Sequence, residues 1–196
     1  MPQQRDREGG IVVRFSEMAL KGVVLVEPDI FEDARGVFLE TYHERKYRDG
    51  GIPGPFVQDN YSSSAQGTLR GLHYQLHHAQ GKLVAVVEGA IFDVAVDIRR
   101  GSPTFSQWVG VELSAKNRRQ LYVPPGFAHG FCVTSDTAAV TYKVTNFYSP
   151  QEERGIIWND PGIGIRWPVA QPLLSAKDQA YKTVAEMSDQ LPVYVG

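Results

Sequence analysis

The side chains with most chemical scope in this chain are its histidines. There are five, and four fall in two places: His73, His77 and His78 in or just after a Leu-Arg-Gly-Leu-His-Tyr-Gln run at 69–75, and His129 in Pro-Pro-Gly-Phe-Ala-His-Gly-Phe at 124–131. Imidazole has an unperturbed pKa of about 6.5, so it gives or takes a proton near neutral pH, and it is also the commonest metal ligand. Spacing tests the metal option. A common β-barrel metal site needs a His-x-His pair, a following Glu and a further His from a Pro-x-Gly-x-x-His segment. Only the last part is present, as Pro124, Gly126 and His129. His73 has Gln75 two residues on, and the adjacent His77 and His78 point to opposite faces of any strand. A three-imidazole site with an open position is poorly supplied, and no metal is expected. The single thiol, Cys132, lies between Phe131 and Val133 and reads as an inert core group that forms no disulfide within the chain.

For such residues to converge, strands must carry them. From Gly22 onward, short runs rich in Val, Ile, Phe, Tyr and Thr alternate with Gly, Pro, Asp, Asn and Ser clusters. They predict strands at Val23–Val26, Val37–Tyr42, Leu69–Gln75, Leu83–Val87, Ile91–Ile98, Trp108–Leu113, Gln120–Val123 and Ala138–Phe147. Helix is confined to a turn or two near His43–Arg48 and to Ala176–Met187, with Ser175 as its cap. Residues 1–20 show no period and read as a mobile or peripheral extension; residues 21–196 form one domain. Two His-bearing segments in an all-β chain suggest a cupin. In the run from Ile91 to Arg99, Phe92, Val94, Val96 and Ile98 share one face, and Asp93, Asp97 and Arg99 the other. The polar face meets solvent if the strand stands alone and lines a lumen if it belongs to a barrel. Tyr142 shares its face with Val140, Val144 and Asn146, which looks like an interior, where its hydroxyl needs a partner.

Composition narrows the partners. The 196 residues carry 20 basic and 22 acidic side chains. That balance leaves no basic footprint for a phosphate backbone, so nucleic acid is not an expected partner. There is no run of 18 apolar residues, and the amino terminus is charged and polar where a secretory signal needs an apolar stretch. A soluble, cytoplasmic protein with no membrane contact is expected.

Nine segments together carry a resemblance. They are Phe-Val-Gln-Asp-Asn-Tyr-Ser (56–62), Leu-Arg-Gly-Leu-His-Tyr-Gln (69–75), Gln-Gly-Lys-Leu-Val (80–84), Phe-Asp-Val-Ala-Val-Asp-Ile-Arg (92–99), Ser-Pro-Thr-Phe (102–105), Pro-Pro-Gly-Phe-Ala-His-Gly-Phe (124–131), Tyr-Lys-Val-Thr-Asn-Phe-Tyr-Ser-Pro (142–150), Trp-Asn-Asp-Pro (158–161) and Leu-Ser-Ala-Lys-Asp (174–178). In order and spacing, from about Gly22 to Asp178, they resemble the dTDP-4-dehydrorhamnose 3,5-epimerase family. The resemblance implies an all-β, cupin-type jelly-roll barrel with short helices, mainly C-terminal. It implies a homodimer with strand or residue exchange at the active site, no cofactor, and a dTDP-linked 4-keto-6-deoxy sugar as substrate. The implied reaction is epimerisation of dTDP-4-dehydro-6-deoxy-D-glucose at C3 and C5, on the way to dTDP-rhamnose for cell-surface polysaccharide. The alternatives are a single-position C3 or C5 epimerase of a deoxysugar pathway and a related cupin 4-keto-sugar ketoisomerase.

Such a reaction sets physical requirements. A hydrogen on carbon beside a ketone is weakly acidic, so a base must reach it while a cation or donor holds the enolate oxygen. Inversion further needs an acid across the ring from the base. The resemblance makes His73 the base, Asp178 its orienting carboxylate, Tyr142 the acid on the far side and Lys82 the group at the enolate oxygen. Arg70 and Lys177 are implied near the diphosphate, with Gln58 and Asn60 as polar contacts on one strand face. His129 and Glu153 fall at further binding positions. Arg35 and Glu40 match residues that reach the base or sugar from the neighbouring subunit. Arg70 and His73 have opposite strand parity, so a bulge or bend is expected at Gly71. Phe147 stands where many 3,5-epimerases carry a second tyrosine.

Overall fold

The computed structural model describes residues 12–195. In chain order its elements are β1 (Val13–Glu17), β2 (Val24–Pro28), β3 (Phe31–Asp33), β4 (Gly36–Phe38), helix α1 (Glu44–Asp49) and β5 (Gln58–Ala65). There follow β6 (Leu69–Gln75), β7 (Lys82–Glu88), β8 (Ala90–Asp97), β9 (Trp108–Ser114), β10 (Gln120–Val123), β11 (Phe127–Val133), β12 (Thr137–Val144), β13 (Glu153–Gly155) and the one-turn helix α2 (Ala176–Gln179). A six-stranded sheet of order β1-β2-β10-β7-β12-β5 faces a five-stranded sheet of order β13-β6-β11-β8-β9, and β3 and β4 form a separate hairpin. Every ladder within these sheets is antiparallel. This is the two-sheet jelly roll that the sequence implies.

Strand alternation builds the core between the sheets. Val84 and Val86, Leu121 and Val123, and Ala138 and Val140 project inward from the six-stranded sheet and meet Ile91, Ala95, Phe127, Phe131 and Val133 from the other. The outer faces are covered too. Tyr47 of α1 is fully buried over Val24, Val26 and Tyr122, and its hydroxyl donates to Gln120 Oε1 at 3.0 Å. The chain after β13 covers the other sheet, bringing Ile156, Ile163, Val184 and Leu191 onto Leu72, Tyr74, Val94 and Val96.

This second layer decides the question left open for the 91–99 strand. Both of its faces are enclosed, and neither Asp93 nor Asp97 meets solvent. Asp97 accepts from Arg99, Ser102 and Thr104, which satisfies a buried carboxylate.

Several expected boundaries move. The strand read as Val37–Tyr42 is paired only at Gly36–Phe38, and that read to Phe147 stops at Val144. β1 lies in a stretch without readable period, at the edge of its sheet, and Leu20 just after it belongs to the core. Residues 1–11 of the expected extension lie outside the described residues. Ser175 caps α2 as expected, accepting from the Asp178 N–H at 3.0 Å, but the helix ends at Gln179 and not at Met187. Lys182 instead bridges Ile156, its carbonyl accepting from the Ile157 N–H at 2.9 Å, so the backbone leaves the helix for the sheet.

The bend expected at Gly71 is present. His129 pairs with His73 and Phe131 with Arg70, so three steps on β6 answer two on β11 and the side-chain parity switches between them. Gly71 has φ +134°, and a Cβ there would lie 2.6 Å from the Gly130 Cα and 2.9 Å from the His129 carbonyl oxygen. Gly71→Ala is therefore expected to cost on the order of 3 kcal/mol, from the strained φ and the overlap together. A urea melt with an unchanged m-value and a lowered midpoint checks this.

Candidate active site

At one end of the space between the sheets is a cavity of about 340 Å³. Gln58, Asn60 and Ser62 line it from alternate positions of β5, Arg70 and His73 from β6, Lys82 from β7, His129 from β11, Tyr142 from β12 and Glu153 from β13. Pairing explains the convergence. Tyr142 stands opposite Asn60 on one side and Val84 on the other, and Lys82 is two residues from Val84, so all three point inward. His129 is the register partner of His73. Arg70 joins them because of the bulge at Gly71. Eight of the residues singled out in the sequence thus meet around one space.

Asp178 comes to His73 from α2, across 105 residues of chain, with Oδ1 2.6 Å from Nε2. Burial drives the Asp178 pKa up, but hydrogen bonds from His73, Ser175 and the Gly71 N–H outweigh it and hold the carboxyl below its ordinary value. An ionised carboxylate only accepts, so Nε2 carries the proton and Nδ1 the lone pair. A second pair lies beside it: His129 Nε2 is 3.0 Å from both oxygens of fully buried Asp93. Among the described residues no three His, Cys, Asp or Glu side chains form a metal-ligating group.

Lys82 keeps part of its surface open, yet withdrawal from bulk water lowers its pKa to about 8, against the opposing pull of Glu153 and Asp93. Burial raises the Tyr142 pKa, with Arg70 opposing and Glu153 assisting, so the phenol is protonated at neutral pH and is a donor. Glu153 accepts from Lys177 and Tyr148, both at 2.5 Å. Burial alone would raise its pKa, and these two partners bring it below the ordinary range. Lys177 reaches the site only through this contact. Arg35 and Glu40 are not brought to the cavity: Arg35, 91% exposed, pairs with Asp33 on the β3–β4 hairpin, and Glu40 pairs with Lys46.

Phe147 is 66% exposed and does not line the cavity. The next residue, Tyr148, does, and supplies a second phenol whose pKa is pushed up to about 12, chiefly by its hydrogen bond to Glu153. Asp93, Ser62 and Tyr148 were not singled out for the site. The position of Asp93 on the polar face of the 91–99 run was the signal available for it.

The profile of the family described as dTDP-4-dehydrorhamnose 3,5-epimerase matches residues 17–186. The chain belongs to this family. It is 53% identical over 176 residues to the dTDP-4-dehydrorhamnose 3,5-epimerase of Pseudomonas aeruginosa, covering 89% of this chain and 97% of that one. It is 54% identical over 171 residues to the enzyme of that name from Neisseria gonorrhoeae, covering 87% of this chain but only about half, 52%, of the relative's length. The crystal structure of dTDP-6-deoxy-D-glucose-3,5-epimerase from Legionella pneumophila in complex with dTDP-4-keto-L-rhamnose superposes with a TM-score of 0.92 at 47% identity, covering 94% of this chain and all of that one. No helix among the described residues is long and apolar enough to cross a membrane.

The lowered pKa of Lys82 carries a sign for stability. Between about pH 8 and 10.5 the unfolded chain holds a proton that the folded chain has shed, so this group's contribution to stability rises with pH across that window. Below it, the cost of enclosing the ammonium is fully present. Lys82→Met removes the titration. The stability of the native sequence relative to Lys82→Met is expected to improve as pH rises from 8 to 10, as read from thermal melts at constant ionic strength.

Proposed function

We propose that this chain epimerises dTDP-4-dehydro-6-deoxy-D-glucose at C3 and C5 to dTDP-4-dehydro-L-rhamnose, without a cofactor, in the cytoplasmic synthesis of dTDP-rhamnose. One observation carries the reading. A carboxylate-oriented imidazole, an enclosed ammonium and a protonated phenol share a single cavity. His73 takes the proton at Nδ1, and Asp178 steadies the imidazolium that forms. Lys82 holds the negative charge that develops on the C4 oxygen, where partial withdrawal from water strengthens the attraction. Tyr142 returns a proton to the opposite face. C3 and C5 both flank C4, so one set of groups serves both inversions. Arg70 and Lys177 hold the diphosphate, and Gln58, Asn60, His129 and Glu153 make polar contacts to the nucleotide sugar.

The same reading makes the protein a homodimer in which Arg35 and Glu40 of one subunit complete the site of the other. Two features support this. The β3–β4 hairpin holds Arg35 and the exposed Val37 and Phe38 away from its own cavity. A groove of about 450 Å³ on the outer face of the six-stranded sheet, lined by Tyr61, Ala85, Val87 and Thr141 among others, offers an apolar surface to a second copy.

The two proton-transfer roles separate in deuterated water. His73→Asn is expected to abolish both solvent exchange and inversion, because no base remains. Tyr142→Phe deletes only the hydroxyl, so the enolate still forms and the proton returns from His73 to the face it left. Label uptake by NMR is then expected to outrun inversion, with inversion reduced roughly 10²–10⁴-fold. Equal loss of both in Tyr142→Phe removes the tyrosine from the opposite-face role.

Light scattering at micromolar concentration is expected to give twice the 21.8 kDa chain mass. Mixing inactive His73→Asn with impaired Arg35→Ala protein is expected to regain activity, because the mixed dimer holds one intact site. No regain after subunit exchange rules out the shared site.

A further inference from the structure

The segment that brings Asp178 to His73 brings a second residue with it. Three positions on, Tyr181 sets its ring against the imidazole in a T-shaped contact, with centroids 5.8 Å apart and planes at 73°. The sheet leaves room for that ring. Gly155 of β13 is the register partner of His73 across the β6–β13 ladder, so a side chain there would stand beside the imidazole on the same face. Glycine leaves the place open and the phenol ring fills it: a Cβ at Gly155 would fall 2.2–2.5 Å from three of the ring's carbons. The backbone on either side of Tyr181 is pinned. The Ala180 N–H donates to the Lys177 carbonyl at 3.1 Å, and the Lys182 carbonyl accepts from the Ile157 N–H at 2.9 Å.

Tyr181 is not among the residues lining the cavity, so it works through His73 and not on the sugar. One hydrogen bond from Nε2 to Asp178 fixes where the imidazole points but leaves its plane free to tilt about that bond. A ring packed against its side removes that freedom. The Tyr181 hydroxyl is buried with no hydrogen-bond partner among the described residues, so the ring and not the oxygen makes the contact that matters.

We propose that Tyr181 is a positioning residue for the proton transfer, its ring seated over Gly155 to hold the plane of His73 so that the Nδ1 lone pair stays aimed at the substrate carbon. This rests on His73 being the base. Misplacing a reacting group by about 1 Å costs on the order of 10²-fold in rate, which sets the scale of the effect.

The test uses the full-length protein and dTDP-4-dehydro-6-deoxy-D-glucose in deuterated water. Tyr181→Leu, which keeps apolar bulk without a flat ring, and Tyr181→Ala are expected to lower kcat about 10- to 100-fold with KM within about three-fold, exchange and inversion falling together. Tyr181→Phe restores kcat to within about two-fold of the native sequence. Gly155→Ala is expected to lower kcat in the same way by displacing the ring, and Gly155→Ala/Tyr181→Ala to lose no more than Tyr181→Ala alone. Circular dichroism and melting temperature establish that each variant is folded at the assay temperature; if Tyr181→Ala is not, Tyr181→Leu decides. The proposal is overturned if folded Tyr181→Leu keeps full kcat, if inversion is lost while exchange survives, or if Tyr181→Phe loses as much as Tyr181→Leu. His73→Asn run alongside keeps the two ideas apart: if it abolishes exchange while Tyr181→Leu is fully active, the base assignment stands and only the role of Tyr181 falls.

Discussion

The structure turns on an ionised carboxylate that must be buried beside an imidazole from a distant part of the chain. Asp178 is almost wholly enclosed, and an enclosed charge is tolerated only when hydrogen bonds replace the water it has lost. His73 supplies one, the Ser175 hydroxyl takes up the Asp178 backbone N–H, and the Gly71 N–H adds another contact to the carboxylate. Each has a structural consequence. His73 must face inward from β6, Gly71 must be the bulged residue, and the chain after β13 must cross the outer face of the five-stranded sheet to deliver α2. Ile156 and Ile163 before α2, and Val184 and Leu191 after it, cover that face of the sheet. Covering the sheet and placing Asp178 beside His73 are therefore coupled.

The same logic explains why so much charge is tolerated between two apolar layers. Asp93 is held by His129, Asp97 by Arg99, Ser102 and Thr104, and Glu153 by Lys177 and Tyr148. Lys82 is the least well satisfied of these groups, with its pKa lowered to about 8 by withdrawal from water. An ammonium held in that condition gains most when negative charge develops nearby, which a sugar enolate would provide.

What was legible in the sequence follows from the same physics. Strands rich in apolar and aromatic residues, such as Leu83–Val87 and Gln120–Val123, announced themselves by composition and are found within a residue or so of where they were read. β5 did not, because one face of Gln-Asp-Asn-Tyr-Ser-Ser-Ser-Ala lines the cavity and the other lies on the outside, leaving no hydrophobic period to read. β11 was hidden for the opposite reason: all seven of its residues are buried, and a glycine interrupts it. α2 was read too long because local propensity favours helix where the backbone of Lys182 is taken by Ile156 and Ile157. The site was more legible than its scaffold. The His73 and His129 segments stood out by residue type alone, and motif order brought in Lys82, Tyr142 and Asp178. What spacing could not reveal was side-chain direction in the loop after β12, where the half-exposed Tyr148 lines the cavity and Phe147 does not.

Inversion at carbon needs two groups that never stand on the same side of the substrate, and a sandwich of two sheets supplies this without special provision. His73 belongs to the five-stranded sheet and Tyr142 to the six-stranded one. Their side chains enter a single cavity from opposite walls, so a flat enolate lying between the sheets would present one face to each. The strands that carry them are held in register by the core and by the ladders around them, and the separation between His73 and Tyr142 is thereby fixed by sheet packing and not by loops. Lys82 and Tyr142 come from neighbouring strands of one sheet, and His73 and His129 from neighbouring strands of the other. The Lys82 ammonium is thus placed on the same wall as the Tyr142 phenol. If His73 is the base proposed above, a carbon on either side of a ketone would reach it by a turn of the sugar within its own plane, with both walls unmoved.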